Sequence, residues 1–265
     1  MCIRDRLGEG RNGAVYKCLV DQKLMIVKEQ KLHSDGPYIA DSPKEIVCSV
    51  TGINELVISH YISKLSKYYD HIQKFYGYNI HNNNLLIFKE YIYHKFTTKY
   101  DIFTDYEKSL IILHCLLTLH ETFQNEQYIL GHHNDFRPNN IIFKEVKYKE
   151  RTCIIEDITI RLPVKKYIPV LIDFGSTELI KCFGKSINIK RFNWRLLLKN
   201  KKDDSCFNVS KFNPCIDVQR FFYKLGKDSP LLISNTYSDL VEKYGENKVT
   251  VKHIFSHPNI KSFLS

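Results

Sequence analysis

The chain has 265 residues, 43% of them hydrophobic and 26% charged, with a formal net charge of +10. That length suits one large domain or two lobes whose core needs no disulfide or metal staple. A membrane span is excluded because no apolar run approaches about 18 residues, and no internal repeat or long low-complexity tract occurs.

The eight cysteines (Cys2, Cys18, Cys48, Cys115, Cys153, Cys182, Cys206 and Cys215) are scattered, with no Cys-x-x-Cys pair. This argues against a zinc site or a disulfide framework and for free thiols in a reducing compartment. Lysines are denser at Lys144 to Lys149, Lys165–Lys166 and Lys199 to Lys202. They read as solvated surface with an attraction for polyanions. No nucleic-acid-binding module accompanies them, so specific nucleic-acid binding is not expected.

Met1–Arg6 is too short and too charged for a signal peptide, and it resembles translated adapter sequence. The fold is therefore read from about residue 7, and a location inside the cell is expected. Gly8 to Leu19 reads as strand, Gly-rich turn, strand, and Leu24 to Gln30 as a further strand. Residues 33–50, with Gly36, Pro37 and Pro43, read as a loop. Ile53, Leu56, Val57, Tyr61 and Leu65 recur at helical spacing. Strands near Phe75–Ile80 and Leu85–Tyr91 flank an Asn-rich turn. A long buried helix covers about Tyr106 to Phe123, followed by a polar loop over 131–140.

Strand signals return at Ile141–Phe143 and Val170–Ile172. Between them, Cys153-Ile154-Ile155 suggests an extended hairpin. Residues 176–213 show no strong period. Asp217 to Leu225 reads as a buried helix, and 231–264 as one or two more. A strand-rich first third followed by a helix-rich remainder is an α+β arrangement.

Five groups of residues carry chemistry. Gly8-Glu9-Gly10-Arg11-Asn12-Gly13-Ala14-Val15 leads into a strand, and its glycines let backbone amides approach phosphate oxygens. On its own the motif is also compatible with a plain hairpin. Lys28 ends the apolar Ile26-Val27 and can point its ammonium at phosphates. Glu55, beside the apolar Leu56, can fix that ammonium; Glu45, behind Pro43, is a weaker candidate.

His133-Asn134-Asp135-Phe136-Arg137-Pro138-Asn139-Asn140 follows the long helix. In it Asp135 can orient and deprotonate a hydroxyl, and Asn140 can offer an amide oxygen to a metal. Arg137 can spread the charge of a transferring phosphate, whereas His132 reads as a solvent neighbour. Leu171-Ile172-Asp173-Phe174-Gly175 places an aspartate after a buried strand, as a metal carboxylate.

In this order and spacing the motifs resemble the eukaryotic-type protein kinases across Gly8 to about Pro258. The resemblance implies a bilobal fold, a small β-rich lobe over about 7–90 and a larger helical lobe over 91–265. It implies ATP and Mg2+ as cofactors, with Asn140 and Asp173 as metal ligands. Glu90-Tyr91-Ile92 would be the hinge that binds adenine, with Val15, Ile26 and Ile142 against the base and Lys89 as gatekeeper. Asp217-Val218-Gln219-Arg220-Phe221 resembles the start of the family's large buried helix, whose aspartate accepts catalytic-loop backbone hydrogen bonds. His253-Ile254-Phe255-Ser256-His257-Pro258 resembles the closing segment of these domains.

Arg137-Pro138 resembles the serine/threonine enzymes. The reduced pattern is similar to kinases of large DNA viruses, which implies a cytoplasmic or virion setting, a protein substrate and a monomer. Asn134 replaces the arginine that receives an activating phosphate, which implies activity without such phosphorylation. Ala-Pro-Glu is absent before Asp217, the stretch from Asn140 to Asp173 is long by about a hairpin, and Ile26 and Lys89 narrow the adenine pocket. Two alternatives remain: a small-molecule kinase of the choline or aminoglycoside type, which shares His-x-Asp-x-x-x-x-Asn, and a catalytically silent binding module.

Overall fold

A computed structural model describes residues 2–10, 13–32, 43–92, 94–95, 100–189, 191–192, 207–208 and 212–265. Strands β1 (Cys2–Gly10), β2 (Gly13–Val20) and β3 (Lys23–Lys31) precede helix α1 (Pro43–Ser63). Strands β4 (Phe75–His81), β5 (Asn84–Glu90) and β6 (His94–Lys95) lead to helix α2 (Asp105–Phe123). Then come β7 (Gln124–Asn125), β8 (Ile129–His132), β9 (Ile141–Glu145), β10 (Glu150–Ile155), β11 (Ile158–Pro163) and β12 (Tyr167–Leu171). Strands β13 (Glu178–Cys182), β14 (Lys185–Ile189), β15 (Arg191–Phe192) and β16 (Phe207–Asn208) follow. Helices α3 (Cys215–Leu225), α4 (Leu231–Tyr244), α5 (Val251–Ser256) and α6 (Pro258–Leu264) close the chain.

The chain is thus mixed α+β, strand-rich early and helical late. Among the described residues no helix is long and apolar enough to cross a membrane.

Three expectations change. The loop expected over 33–50 gives way to helix from Pro43, ten residues before Ile53. Pro43 occupies the first helical position, where its missing N–H costs no intrahelical bond. Strand β1 starts at Cys2, not near Gly8, because β2 offers its backbone along that whole stretch and Cys2 pairs with Leu19. The aperiodic stretch after residue 176 contains the hairpin of β13 and β14.

The chain divides into two compact units. One comprises Met1–Tyr91, Glu126–Gly131 and Asp173–Lys211. Its main sheet has the order β1-β2-β3-β5-β4, all antiparallel neighbours. Two-residue turns join β2 to β3 and β4 to β5, with positive φ at Asp21, Gln22, Asn82 and Asn83. Paired left-handed residues match the right-handed twist of a hairpin. Helix α1 approaches β3 closely: a Cβ on Gly52 would lie 2.7 Å from Gln30 Oε1.

The other unit comprises Ile92–Asn125, His132–Ile172 and Phe212–Ser265. Helix α2 opens on a capping box in which Thr104 Oγ1 accepts from Glu107 N at 3.3 Å and the Glu107 carboxylate accepts from Thr104 N at 3.0 Å. Most of its side chains from Ser109 onward are buried. The β10–β11 hairpin, the insertion expected between Asn140 and Asp173, is tied to α2 by a buried ion pair of Arg151 and Glu121. Arg151 also donates to Thr118 Oγ1 at 3.0 Å.

His114 of α2 sits beside this pair, 2% exposed. Its Nε2 is 3.0 Å from the Pro163 carbonyl oxygen, which only accepts, so the ring proton is on Nε2. Burial first, and then the Arg151 charge, push the imidazole down from 6.5 to about 3. The unfolded chain takes up a proton below 6.5 and the folded chain does not. Stability from this group is therefore full above that pH and falls as pH drops toward 3. The expected loss by pH 5 is about 2 kcal/mol. Urea midpoints at pH 7 and pH 5 should show a loss larger by about this amount in the wild type than in His114→Gln, whose amide can still donate to Pro163.

Candidate functional site

In the first unit, pairing register sets the site. Val15 lies opposite Lys28, Lys28 opposite Ile87, and Ile26 opposite Lys89. Residues opposite one another in antiparallel strands share a face, so Val15, Ile26, Lys28, Ile87 and Lys89 stand on one side of the sheet. Gly10 pairs with Gly13 to close the β1–β2 turn, whose tip, residues 11–12, lies outside the described residues. Gly13 has φ +133° and a Cβ there would sit 2.0 Å from the Glu29 carbonyl oxygen. The sheet itself therefore demands this glycine. At Gly8 a Cβ would meet nothing within 4 Å, so its missing side chain leaves open space.

Helix α1 brings Glu55, 1% exposed, to this face. The Lys28 ammonium pairs with Glu55 Oε2 and lies 2.8 Å from Asp173 Oδ1. Burial alone would lower the Lys28 ammonium's pKa, but Glu55 and Asp173 outweigh it and hold the group above its ordinary value. Three residues predicted from separate motifs thus form one ion cluster, with Asp173 lying 145 positions beyond Lys28. Asp173 adopts a left-handed backbone, φ 62° and ψ 71°, a conformation that aspartate tolerates better than most residues. The side chain of Glu45 lies outside the described residues.

Two partners of this cluster were not foreseen. Lys89 is 3% exposed and its ammonium lies 2.6 Å from Glu55 Oε1. By resemblance it is the gatekeeper beside a base, and in the structure its charge pairs with Glu55. Asn54, next to Glu55, donates its amide to the carbonyls of Gly175 at 3.1 Å and Thr177 at 2.9 Å. It ties α1 to the turn after Asp173.

In the second unit, the loop from His133 to Asn140 is held from several sides. Asp217 of α3, 1% exposed, accepts from His133 N and Asn134 N, each at 2.8 Å. Arg220 donates to Asn134 Oδ1 at 3.0 Å, and Asn134 has φ 62°. Phe136 stacks on Phe221 with centroids 4.4 Å apart. His133 Nε2 lies 3.0 Å from the Ile172 carbonyl oxygen, and its Nδ1 accepts from Asp135 N at 3.3 Å. The ring proton therefore sits on Nε2.

Asp135 Oδ2 takes two donors, Asn140 Nδ2 at 2.8 Å and Arg137 Nη2 at 3.0 Å. Arg137 thus neighbours the carboxylate it follows in the chain. The second bond from Asn140 Nδ2 runs to the Asp135 backbone oxygen at 2.8 Å. Both bonds use the amide nitrogen. The amide oxygen of Asn140, in the second unit, and the carboxylate of Asp173, in the first, are each a donor of the kind a hard cation such as Mg2+ takes. His132, expected to be a solvent neighbour, is 1% exposed. It stacks on Phe212 at 5.3 Å and accepts from Asn213 N at 3.3 Å; the aromatic partner eighty positions away gave no local signal.

The residues expected around a base fall in both units: Val15, Ile26 and Glu90 in the first, Ile92 and Ile142 in the second. The Glu90 N–H donates to the Lys74 carbonyl at 2.8 Å, and its carbonyl accepts from Gln73 Nε2 at 2.9 Å. Its N–H and its carbonyl are therefore each engaged by the segment that leads into β4. Ile142 is 8% exposed in β9, opposite Val170. No protein-family model matches the chain, and no curated protein matches it.

Proposed function

We propose that this chain is an ATP-dependent protein kinase of the eukaryotic type, with the bilobal fold of that family, which moves the γ-phosphoryl group of ATP to serine or threonine hydroxyls. The observation that carries the reading is the Lys28 ammonium held by both Glu55 and Asp173. A strand lysine after a glycine turn, a helix glutamate and an aspartate before Phe174-Gly175 have this relation where a lysine must hold nucleotide phosphates.

In this reading Lys28 binds the α- and β-phosphates and Glu55 keeps its ammonium aimed. Asp173 and Asn140 would hold Mg2+, which would neutralise phosphate charge. Asp135 receives the substrate hydroxyl's proton while that oxygen bonds to the γ-phosphorus and the bond to the departing ADP oxygen breaks. Arg137 and Asn140 orient the Asp135 carboxylate by the two bonds to its Oδ2, and Arg137 also offers charge to the transferring group. Positioning and electrostatics thus carry most of the rate. The protein substrate contributes the hydroxyl; the chain works as a monomer in a cytoplasmic setting.

The test is transfer of radiolabel from ATP to casein, histone, a peptide array and choline, with wild type beside Asp135→Asn. Labelled Ser/Thr peptides, and a fall of about 100-fold or more in the variant, are expected for loss of a general base. Label on choline alone would move the reading to a small-molecule kinase. Nucleotide binding with no turnover on any acceptor would make the chain a binding module and end the proposal.

A further inference from the structure

Strand β5 alternates buried and part-exposed positions, and its buried row is Leu85, Ile87 and Lys89. The strand lies between β3 and β4. A lysine in the apolar row of an interior strand needs a partner to stay charged. Lys89 has one in Glu55 Oε1, while Oε2 of the same carboxylate serves Lys28. The charges around Glu55 are the ammonium groups of Lys28 and Lys89 and the carboxylate of Asp173, and the Phe174 ring lies 5.5 Å from Lys89 Nζ. Among the described residues these make two cations and two anions.

The division of labour between the two oxygens matters. A glutamate paired with Lys28 alone would lose its only anchor whenever Lys28 turned to phosphate. Here the second oxygen is fastened to β5, which flanks β3 but does not move with the Lys28 side chain. Asn54 adds a second tie from the same turn of helix α1 to the carbonyls of Gly175 and Thr177.

We infer that Lys89 is a positioning residue that latches helix α1 to strand β5 through Glu55, so that Glu55 is held for Lys28 by the fold itself and not by a partner or an added phosphate. The latch is a property of the first unit alone. Its catalytic consequence rests on the phosphoryl-transfer reading above.

The experiment compares the full chain with Lys28→Met, Lys89→Met and the double variant by two readouts. The first is backbone hydrogen exchange over Asn54 to Ser63. Lys28→Met should leave exchange within about twofold of wild type, and Lys89→Met should raise it about tenfold or more, since local opening follows the lost tie. The second is steady-state kinetics. Lys89→Met should lower kcat about tenfold and change KM for ATP less than about threefold, as expected when a group aligns the reacting centre without adding ground-state binding.

Equal exchange in wild type and Lys89→Met, or faster exchange in Lys28→Met than in Lys89→Met, would overturn the latch. Should Lys89→Met not fold, Lys89→Met/Glu55→Gln, which removes both ends of the tie and strands no buried charge, is compared with wild type by exchange over Asn54 to Ser63. Slower or equal exchange in the double variant would overturn the inference. A wild type that folds but transfers no phosphate would sink the kinase reading, and exchange would still decide whether the latch exists.

Discussion

Asp173→Ala should lower phosphoryl transfer by about 1000-fold or more while costing no more than about 1 kcal/mol of stability. The two halves of this expectation come from the same contact. Asp173 is about one-third exposed at its side chain and pairs with Lys28 at 2.8 Å. Such a half-solvated pair gives little to folding. Its removal also strands no charge, because Lys28 keeps Glu55. In the proposed reaction, by contrast, Asp173 is the main carboxylate for the metal, and alanine offers the metal no oxygen. Radiolabel transfer and urea denaturation on one preparation check both halves. Transfer at the wild-type rate would remove Asp173 from the reaction. A collapse of stability would instead show that the aspartate is structural.

The contrast with Glu55 sharpens the point. Glu55→Ala leaves Lys89, 4% exposed at its side chain, without its carboxylate. Breaking a buried pair from one side costs several kcal/mol. Glu55 therefore cannot be tested for function without also testing the fold, whereas Asp173 can.

The parts that were legible in the sequence depend on local pattern. The strand signals of β3, β4 and β5, the long helix α2 and the β10–β11 hairpin were readable because period and turn residues agree over a few positions. Asn82-Asn83 announces a turn with two left-handed residues. Phe183, with φ 47°, adopts the same conformation before Gly184. A bulky aromatic gives no such announcement, and the β13–β14 hairpin went unread. Pro43 misled for a related reason: proline breaks a helix interior but begins a helix well, and only the fold shows which position it holds.

The candidate site was legible in its members and not in its wiring. Lys28, Glu55 and Asp173 stood out by motif, and the structure brings them together. Asp135 and Asn140 likewise meet through one amide. What could not be read was which residues pair outside a motif. Lys89 offered one usable sign, since a lysine in the same alternating row as Leu85 and Ile87 has to be neutralised somewhere. Asn54 and Arg220 offered none, because each bonds to backbone or side-chain atoms more than eighty positions away or across motif boundaries. His132 was misread for the same reason.

Loss of Asp217 should cost the second unit heavily. It is 1% exposed, and its two oxygens each accept one backbone N–H, from His133 and Asn134. Hydrogen bonds to a charged acceptor are worth about 1.5–3 kcal/mol each, and buried N–H groups left without partners add a further penalty. Asp217→Ala should therefore destabilise the chain by about 3–5 kcal/mol. Asp217→Asn is the more discriminating variant. Asparagine keeps size and shape but has one oxygen, so one backbone N–H would face a donating amide. It should lose most of what alanine loses, although at many sites this exchange is mild. Urea denaturation gives the magnitude, and amide exchange at His133 and Asn134 shows whether the loop has come loose. If Asp217→Asn stays within about 1 kcal/mol of wild type, the paired acceptor is not what holds the loop. The anchoring would then pass to the Phe136–Phe221 stack and to Arg220, which also tie the loop to α3.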